Sequence, residues 1–248
     1  MTMNRQLIEA MLPLLLNGLK YTILIAVIGI VLGFIIGSVT GFALQCKNRA
    51  VKAIAYFYIW IIRGTPLLVQ ALYIYFAVPK ILNRSLAIVY NGQMIASEGV
   101  VAGIIAITIN SGAFIAEIVR SALESVDKGQ WDAGYSLGLS YPQILFHIIV
   151  PISLKNITPA LFNQFIISVK DTSILAIIVV PEITHQMQNY AITTYKTIPA
   201  YTFGALFYLF IISILMIAQK LVEKRFNIAS SSDTRRQVAK NADDQRAE

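Results

Sequence analysis

Long uncharged apolar runs, separated by short polar stretches, divide this chain. Tyr21 to Cys46 carries no charge and ends at Lys47. A bilayer-spanning helix needs about 20 mostly apolar residues, so residues 21–46 are read as a first span. Within it Gly29, Gly33, Gly37 and Gly41 recur at every fourth residue and share one helix face. Small faces let membrane helices approach closely; internal packing is the preferred reading over a dimer interface. Lys47, Arg49 and Lys52 form a basic loop. A second apolar segment, 53–79, is interrupted by Arg63-Gly64-Thr65-Pro66. A third, 99–122, is uncharged from Gly99 to Ala116, and the C-terminal extension of that uncharged run carries Glu117, Arg120 and Glu124 on one face. The fourth, 158–181, holds Lys170 and Asp171, and the fifth, 197–219, is uncharged. The pattern predicts an all-α integral membrane protein with about five transmembrane helices.

Three stretches do not fit a span. Residues 1–20 read as a short amphipathic or interfacial segment; Arg5 is offset by Glu9, which does not suit a cleaved signal. Residues 125–157 hold Asp127, Lys128, Asp132, His147 and Lys155 together with Gly129, Gly134, Gly138 and Pro142. That loop is too polar to span, yet its apolar residues keep helical spacing. Two short helices joined near Gly138 to Pro142, outside the hydrocarbon, are expected. Residues 226–248 are rich in Ser, Asp, Arg and Gln, have little to bury, and read as a disordered cytoplasmic tail.

Composition supports lipid as the solvent. The chain is 56% hydrophobic and 13% charged, with a mean hydropathy of +0.66; a soluble domain has about 25% charged residues. The net charge of +7 is read as basic cytoplasmic loops, not as a nucleic-acid surface, because no basic stripe with interleaved aromatics occurs. With the N-terminus outside and the C-terminus inside, nine basic residues lie at inner span ends and five at outer ones, which favours that orientation. It places 125–157 in the cytoplasm. Cys46 is the single cysteine, and His147 and His185 lie far apart, so no metal site is expected.

Charged residues at membrane depth are candidates for function. Arg, Lys or Asp at a helix centre costs about 2.5–3.5 kcal/mol on insertion scales. Arg63, Glu117, Lys170 and Asp171 fall in this class, with Glu182 near a span end. A zwitterionic solute offers one carboxylate and one ammonium, which a pathway lined by both signs would suit. Bracing of the bundle, for instance Arg63 with Glu117 or Asp171, stands open beside it. Lys170 and Asp171 point about 100° apart on a helix and are expected to serve different neighbours. Asn110 and Ser111 are uncharged polar candidates, for the pathway or for interhelical bonds. A break at Pro66 would free backbone groups that are tolerated where they line a cavity; Thr65 and Gln70 are assigned to its border.

The loop carries a specific pattern. Asp132-Ala133-Gly134, then Gly138, then Ile148-Ile149-Val150-Pro151 closely resembles the EAA loop of ABC importer permeases: E-A-A, three residues, G, nine residues, I-x-L-P. Asp replaces Glu and Gly replaces Ala. Arg63-Gly64-Thr65-Pro66, Asn110 to Arg120, Ile167 to Ser173 and Pro181-Glu182-Ile183-Thr184 are similar to segments of polar amino acid permeases, nearest to the glutamine type. The resemblance implies a type I ABC importer transmembrane domain, multi-pass in the bacterial inner membrane, and not an enzyme. Asp132, Ala133, Gly134, Gly138, Ile148 and Pro151 would couple it to a cytoplasmic ATPase. No GxxxxGK[ST] phosphate loop occurs in this chain, so ATP would be bound by that partner, with no cofactor here. A second permease chain, as homo- or heterodimer, and an external amino acid-binding protein complete the implied assembly. The alternative is a secondary amino acid transporter driven by an ion gradient, which would explain the buried charges but not the loop.

Overall fold

The computed structural model describes residues 5–225. Its order is α1 (Arg5–Ala43), α2 (Arg49–Gly64), α3 (Leu67–Phe76), α4 (Val78–Leu82), β1 (Ile88–Tyr90), β2 (Gln93–Ala96), α5 (Glu98–Glu124), α6 (Lys128–Ser136) and α7 (Tyr141–Ile144). A π turn (Leu145–Ile149) leads into α8 (Val150–Asp171), a 3-10 segment (Thr172–Ile178), α9 (Ile183–Thr194) and α10 (Thr197–Arg225). Among the described residues four helical stretches are long and apolar enough to cross a membrane, and the bent pair α2 with α3–α4 makes a fifth if it counts as one span.

The α1–α5 contact is built on the glycine stripe. A Cβ on Gly29 would sit 2.5 Å from Ile107 Cγ2; one on Gly37 would sit 2.7 Å from the Gly112 carbonyl oxygen and from Ile115. Gly41 presses on Val119 and Gly33 on Ser111 Oγ. Each site therefore admits only hydrogen, and the two backbones close on each other. Internal packing accounts for the whole stripe. Ser111 Oγ adds a bond across the contact, donating to the Gly29 carbonyl at 3.3 Å.

Several boundaries differ from the sequence reading, each for a packing reason. Helix α1 already runs from Arg5, so no break separates residues 5–20 from the first span. Leu7, Met11 and Leu15 repeat at i, i+4 and i+8 and pack on Ile183, Met187 and Ala191 of α9; the buried face runs on into Gly18 and Thr22. At 1.5 Å per residue α1 is about 58 Å long, well beyond the ~30 Å hydrocarbon core. The second segment is broken as its sequence suggested: α2 and the α3–α4 unit meet at 100°, at Thr65 and Pro66. The loop 125–157 ends earlier than expected, because its second helical part continues unbroken into the fourth span from Tyr141 to Ile178.

Two elements have no counterpart in the sequence reading. The two-stranded hairpin turns at Asn91-Gly92, both at positive φ (50° and 76°), the pairing that suits a two-residue I′ turn. Helix α9 fills the interval between the fourth and fifth spans. Val179, at φ 60°, ends the 3-10 segment, and Glu182 then caps α9 by accepting from the Thr184 and His185 amides at 2.8 and 2.7 Å. The tail at 226–248 lies outside the described residues.

The close α1–α5 contact has a direct test. Gly37→Val forces a branched side chain against backbone and should lower stability by about 1–3 kcal/mol, read as a lower midpoint of thermal unfolding in detergent. Gly64→Ala, with open space around it, should leave that midpoint unchanged or raise it. Equal midpoints for Gly37→Val and the parent would contradict the packing described.

Candidate functional site

The loop following α5 is a rigid elbow. Asp127 caps α6 by accepting from the Gly129 amide at 2.6 Å. Gly138 ends it at φ 74°. The Leu139 amide donates to the Gly134 carbonyl at 3.2 Å and the Gly138 amide to the Tyr135 carbonyl at 2.9 Å, the paired bonds of a Schellman stop. Gln143 Oε1 accepts from the Ser140 amide at 2.8 Å and starts α7. Trp131 stacks on Tyr141 with centroids 5.4 Å apart, tying α6 to α7.

The elbow's small residues divide by role. Gly134 is buried, and a Cβ there would meet Ile144 Cγ1 at 2.7 Å. Its smallness serves packing inside the elbow. Asp132, Ala133 and Gly138 face outward, and Leu137 is 77% exposed. Ile148 is half-buried and Pro151 exposed in the first turn of α8. Beneath this surface Val119, Leu123 and Val126 pack with Ile144, Leu145 and Ile149. The elbow is thus bolted to the C-terminal end of α5 and the N-terminal end of α8.

The same two helices carry the polar face of the bundle. A cavity of about 670 Å³ lies between α2, α5 and α8, lined by Arg63, Phe114, Glu117, Asn163 and Gln164 among others. A smaller one of about 240 Å³ adjoins it and adds Thr65, Asn110 and Asp171. Arg63 Nη1 lies 3.6 Å from Glu117 Oε1, and its guanidinium sits over the Phe114 ring at 5.3 Å. Glu117 is held more tightly by Arg120, at 2.8 Å. Arg120 also meets Glu124 at 2.7 Å. The Arg63–Glu117 contact is long and opens on the cavity, so both ends keep bonding capacity free.

The α2–α3 break is sealed by one side chain. Gln70 Nε2 donates to the Ile62 carbonyl at 2.8 Å and to the Thr65 carbonyl at 3.0 Å; it also lies 2.9 Å from Thr65 Oγ1. Helix ends leave carbonyls without partners, and in lipid each such group is costly. Gln70 Oε1 then accepts from Asn110 Nδ2 at 3.1 Å, which ties the break to α5.

The remaining predicted residues fall elsewhere. Ser111 is buried in the α1–α5 contact and lines neither cavity. Lys170 faces a groove against α10 beside Tyr208 and Ala205, diverging from Asp171 as the helical angle requires. Glu182 is fully buried, and its oxygens are taken by the α9 cap and by Tyr208 Oη at 3.1 Å; it is a helix cap and lines neither of these two cavities. Asn163 and Gln164 escaped the sequence reading, which weighed charges in the fourth span and passed over amides. Uncharged polar pairs inside an apolar run carry the same signal at lower strength.

Comparison with known proteins agrees with this geometry. Residues 29–228 match the family described as binding-protein-dependent transport system inner membrane component. The glutamine transport system permease protein GlnP of Escherichia coli (strain K12) is 37% identical over 217 residues, covering 88% of this chain and 94% of its own. The L-cystine transport system permease protein TcyB of Bacillus subtilis is 32% identical, covering 87% of each. A crystal structure described as an amino acid ABC transporter with histidines superposes with TM-score 0.80 at 31% identity, over 91% of this chain and all of that one. The MetNI methionine ABC transporter, at 18% identity and TM-score 0.73, shares the fold. None of these relatives supports the ion-gradient alternative. The chain therefore belongs to the inner membrane components of binding-protein-dependent transport systems, as a multi-pass permease subunit that is not itself an enzyme, in a family that implies ATPase and binding-protein partners in general.

Proposed function

We propose that this chain is the translocating subunit of an ATP-driven importer of polar amino acids, glutamine-like or closely related. The observation that carries this reading is mechanical. The exposed elbow at Asp132 to Gly138 and the polar cavity at Arg63 and Glu117 sit on the same two helices, α5 and α8. A rigid displacement at one end of those helices reaches the other without passing through a flexible joint.

In this reading the N-terminus is outside and the elbow cytoplasmic. An external binding protein delivers the solute to the outer side. Asp132, Ala133, Gly138, Ile148 and Pro151 form or support the surface set against the ATPase, with Gly134 keeping that surface in shape from beneath. ATP is bound and hydrolysed by the partner. When the ATPase moves the elbow, the cluster around Ile144 drags α5 and α8 and reshapes the cavity between them. A zwitterion fits that cavity: its carboxylate meets Arg63 and its ammonium meets Glu117 or Asp171. Thr65, Gln70 and Asn110 shape the wall at the α2–α3 break. Relatives named for glutamine and for cystine support the amino acid class.

The coupling surface and the cavity can be tested separately in reconstituted complexes. Gly138→Val places a branched residue at φ 74° and should unseat the elbow. Transport and solute-stimulated ATPase should fall at least tenfold while the chain still inserts in the membrane. Normal transport would remove the assignment of the loop.

For the cavity, Arg63→Gln should raise the half-saturating concentration of the transported amino acid about tenfold, the scale of one lost charged hydrogen bond. Gln70→Ala leaves two carbonyls unpaired and should lower the uptake rate. Unchanged affinity in the first and unchanged rate in the second would take the pathway away from this face. Uptake into vesicles should require ATP. Uptake driven by an ion gradient with no nucleotide would restore the secondary-transporter reading.

A further inference from the structure

The corner between α4 and α5 carries an apolar surface that no described part of this chain covers. No charged residue lies between Arg84 and Glu98. On the β1–β2 hairpin Val89 pairs with Met94 and Tyr90 with Gln93. Directly opposed residues share a face and successive ones alternate. Val89 and Met94 therefore stand on one face and Tyr90 on the other. All three are more than half exposed, as are Ile88 and Ile95. Ile81 and Leu82, at the end of α4, add to the same exposed corner. A two-stranded hairpin is marginal in water, and one whose edges carry neither charge nor proline invites pairing with other chains.

The base of the hairpin fixes its height. Leu86 and Ala96 pack on the core cluster around Val100 and Ile178. Ser85 Oγ donates to the carboxylate of Glu98, in the first turn of α5. Helix α5 has 27 residues and is about 40 Å long, against a bilayer of about 40–45 Å with its headgroup zones. Its charged ends, Glu98 and Glu124, reach those zones, so the hairpin starts at headgroup level on the side away from the elbow. Neither neighbouring phase suits it alone. Hydrocarbon would strand the amides and carbonyls along the hairpin edges, and water would leave apolar side chains bare on both faces. The interface supplies water for the backbone and acyl chains for the side chains. A protein surface docked on the ribbon would cover one face and leave the other bare. Two exposed cations, Lys80 and Arg84, flank the corner, and neither is in an ion pair among the described residues. The local carboxylate, Glu98, is engaged by Ser85. Cations at this height match the phosphates of lipid headgroups.

We propose that the β1–β2 hairpin and the end of α4 form a lipid-docking surface in the headgroup layer of the outer leaflet. Val89, Tyr90, Met94 and Ile95 reach the acyl boundary, and Lys80 and Arg84 hold lipid phosphates, anionic phospholipid most strongly. Which leaflet is the outer one is taken from the permease reading above, and the proposal rests on that reading in this respect alone. The tether keeps the corner joining α4 to α5 at a fixed height while the elbow moves the other end of α5.

The test uses the complete complex, with Cys46→Ala to remove the exposed native thiol, in vesicles of phosphatidylethanolamine and phosphatidylglycerol. Nitroxide spin labels at Val89→Cys and Tyr90→Cys report one hairpin face each, and Ile35→Cys on the outward face of α1 is the lipid reference. Collision with oxygen, which concentrates in lipid, should exceed collision with a water-soluble nickel chelate at least twofold at both hairpin positions. In phosphatidylcholine vesicles, or with Lys80→Gln and Arg84→Gln together, that ratio should fall at least twofold at both, while the Ile35→Cys ratio stays constant. Dominant nickel collisions in the first vesicles overturn the proposal. So does shielding of either label from both reagents, which marks a protein contact, whether it is constant or appears only when the external binding protein is added. A ratio indifferent to the two cations overturns their role in holding lipid. The expected ratios in a complex that takes up no amino acid with ATP would strike the permease reading and leave the hairpin at the interface.

Discussion

The bundle is organised around the close approach of α1 and α5. Lipid supplies no hydrophobic drive for helices to associate, so tight van der Waals contact and interhelical hydrogen bonds must do so. Four glycines on one face let the backbones meet at Ile107, Gly112, Ile115 and Val119. One side of α5 is thereby committed to α1. Its other side is left to carry Asn110, Phe114 and Glu117 toward α2, α3 and α8. The cavity exists on that side because the glycine contact occupies this one.

A second constraint comes from the backbone. A chain in hydrocarbon must satisfy its own amides and carbonyls, and a sharp bend at Thr65 and Pro66 removes the regular partners there. Gln70 restores two of them and then reaches Asn110. The bend is stable because a side chain replaces the missing turn. It also places Arg63, the last basic residue of α2, at the mouth of a polar space instead of in lipid. Backbone geometry and cavity chemistry are one arrangement there.

The elbow and the cavity communicate through packing. Ile144, Leu145 and Ile149 join the loop to both α5 and α8 in one cluster. The π turn at Leu145–Ile149 sits where the polar loop gives way to the long span, a place where such turns often mark function. No long flexible segment intervenes between the elbow and the helices, which is what a mechanical linkage requires.

Much of this was legible along the chain, because the underlying physics is local. Uncharged runs of spanning length, glycines at every fourth residue and the turn at Gly138 each follow from neighbours in sequence. So does the break at Pro66, where the proline ring and missing amide disrupt a helix whatever surrounds it. Tertiary packing decided the rest. Residues 5–20 join α1 because α9 offers Leu7, Met11 and Leu15 a surface some 170 residues away. Glu182 is a cap because helix α9 begins at its side. Gly134 turned inward because Ile144 folds back over it. Arg63 found Glu117 while, among the described residues, Lys170 and Asp171 take part in no ion pair, and no spacing rule could have separated those outcomes. Pairing depends on which helix faces are brought together, and one-dimensional patterning carries the height of a charge in the membrane but not its azimuth.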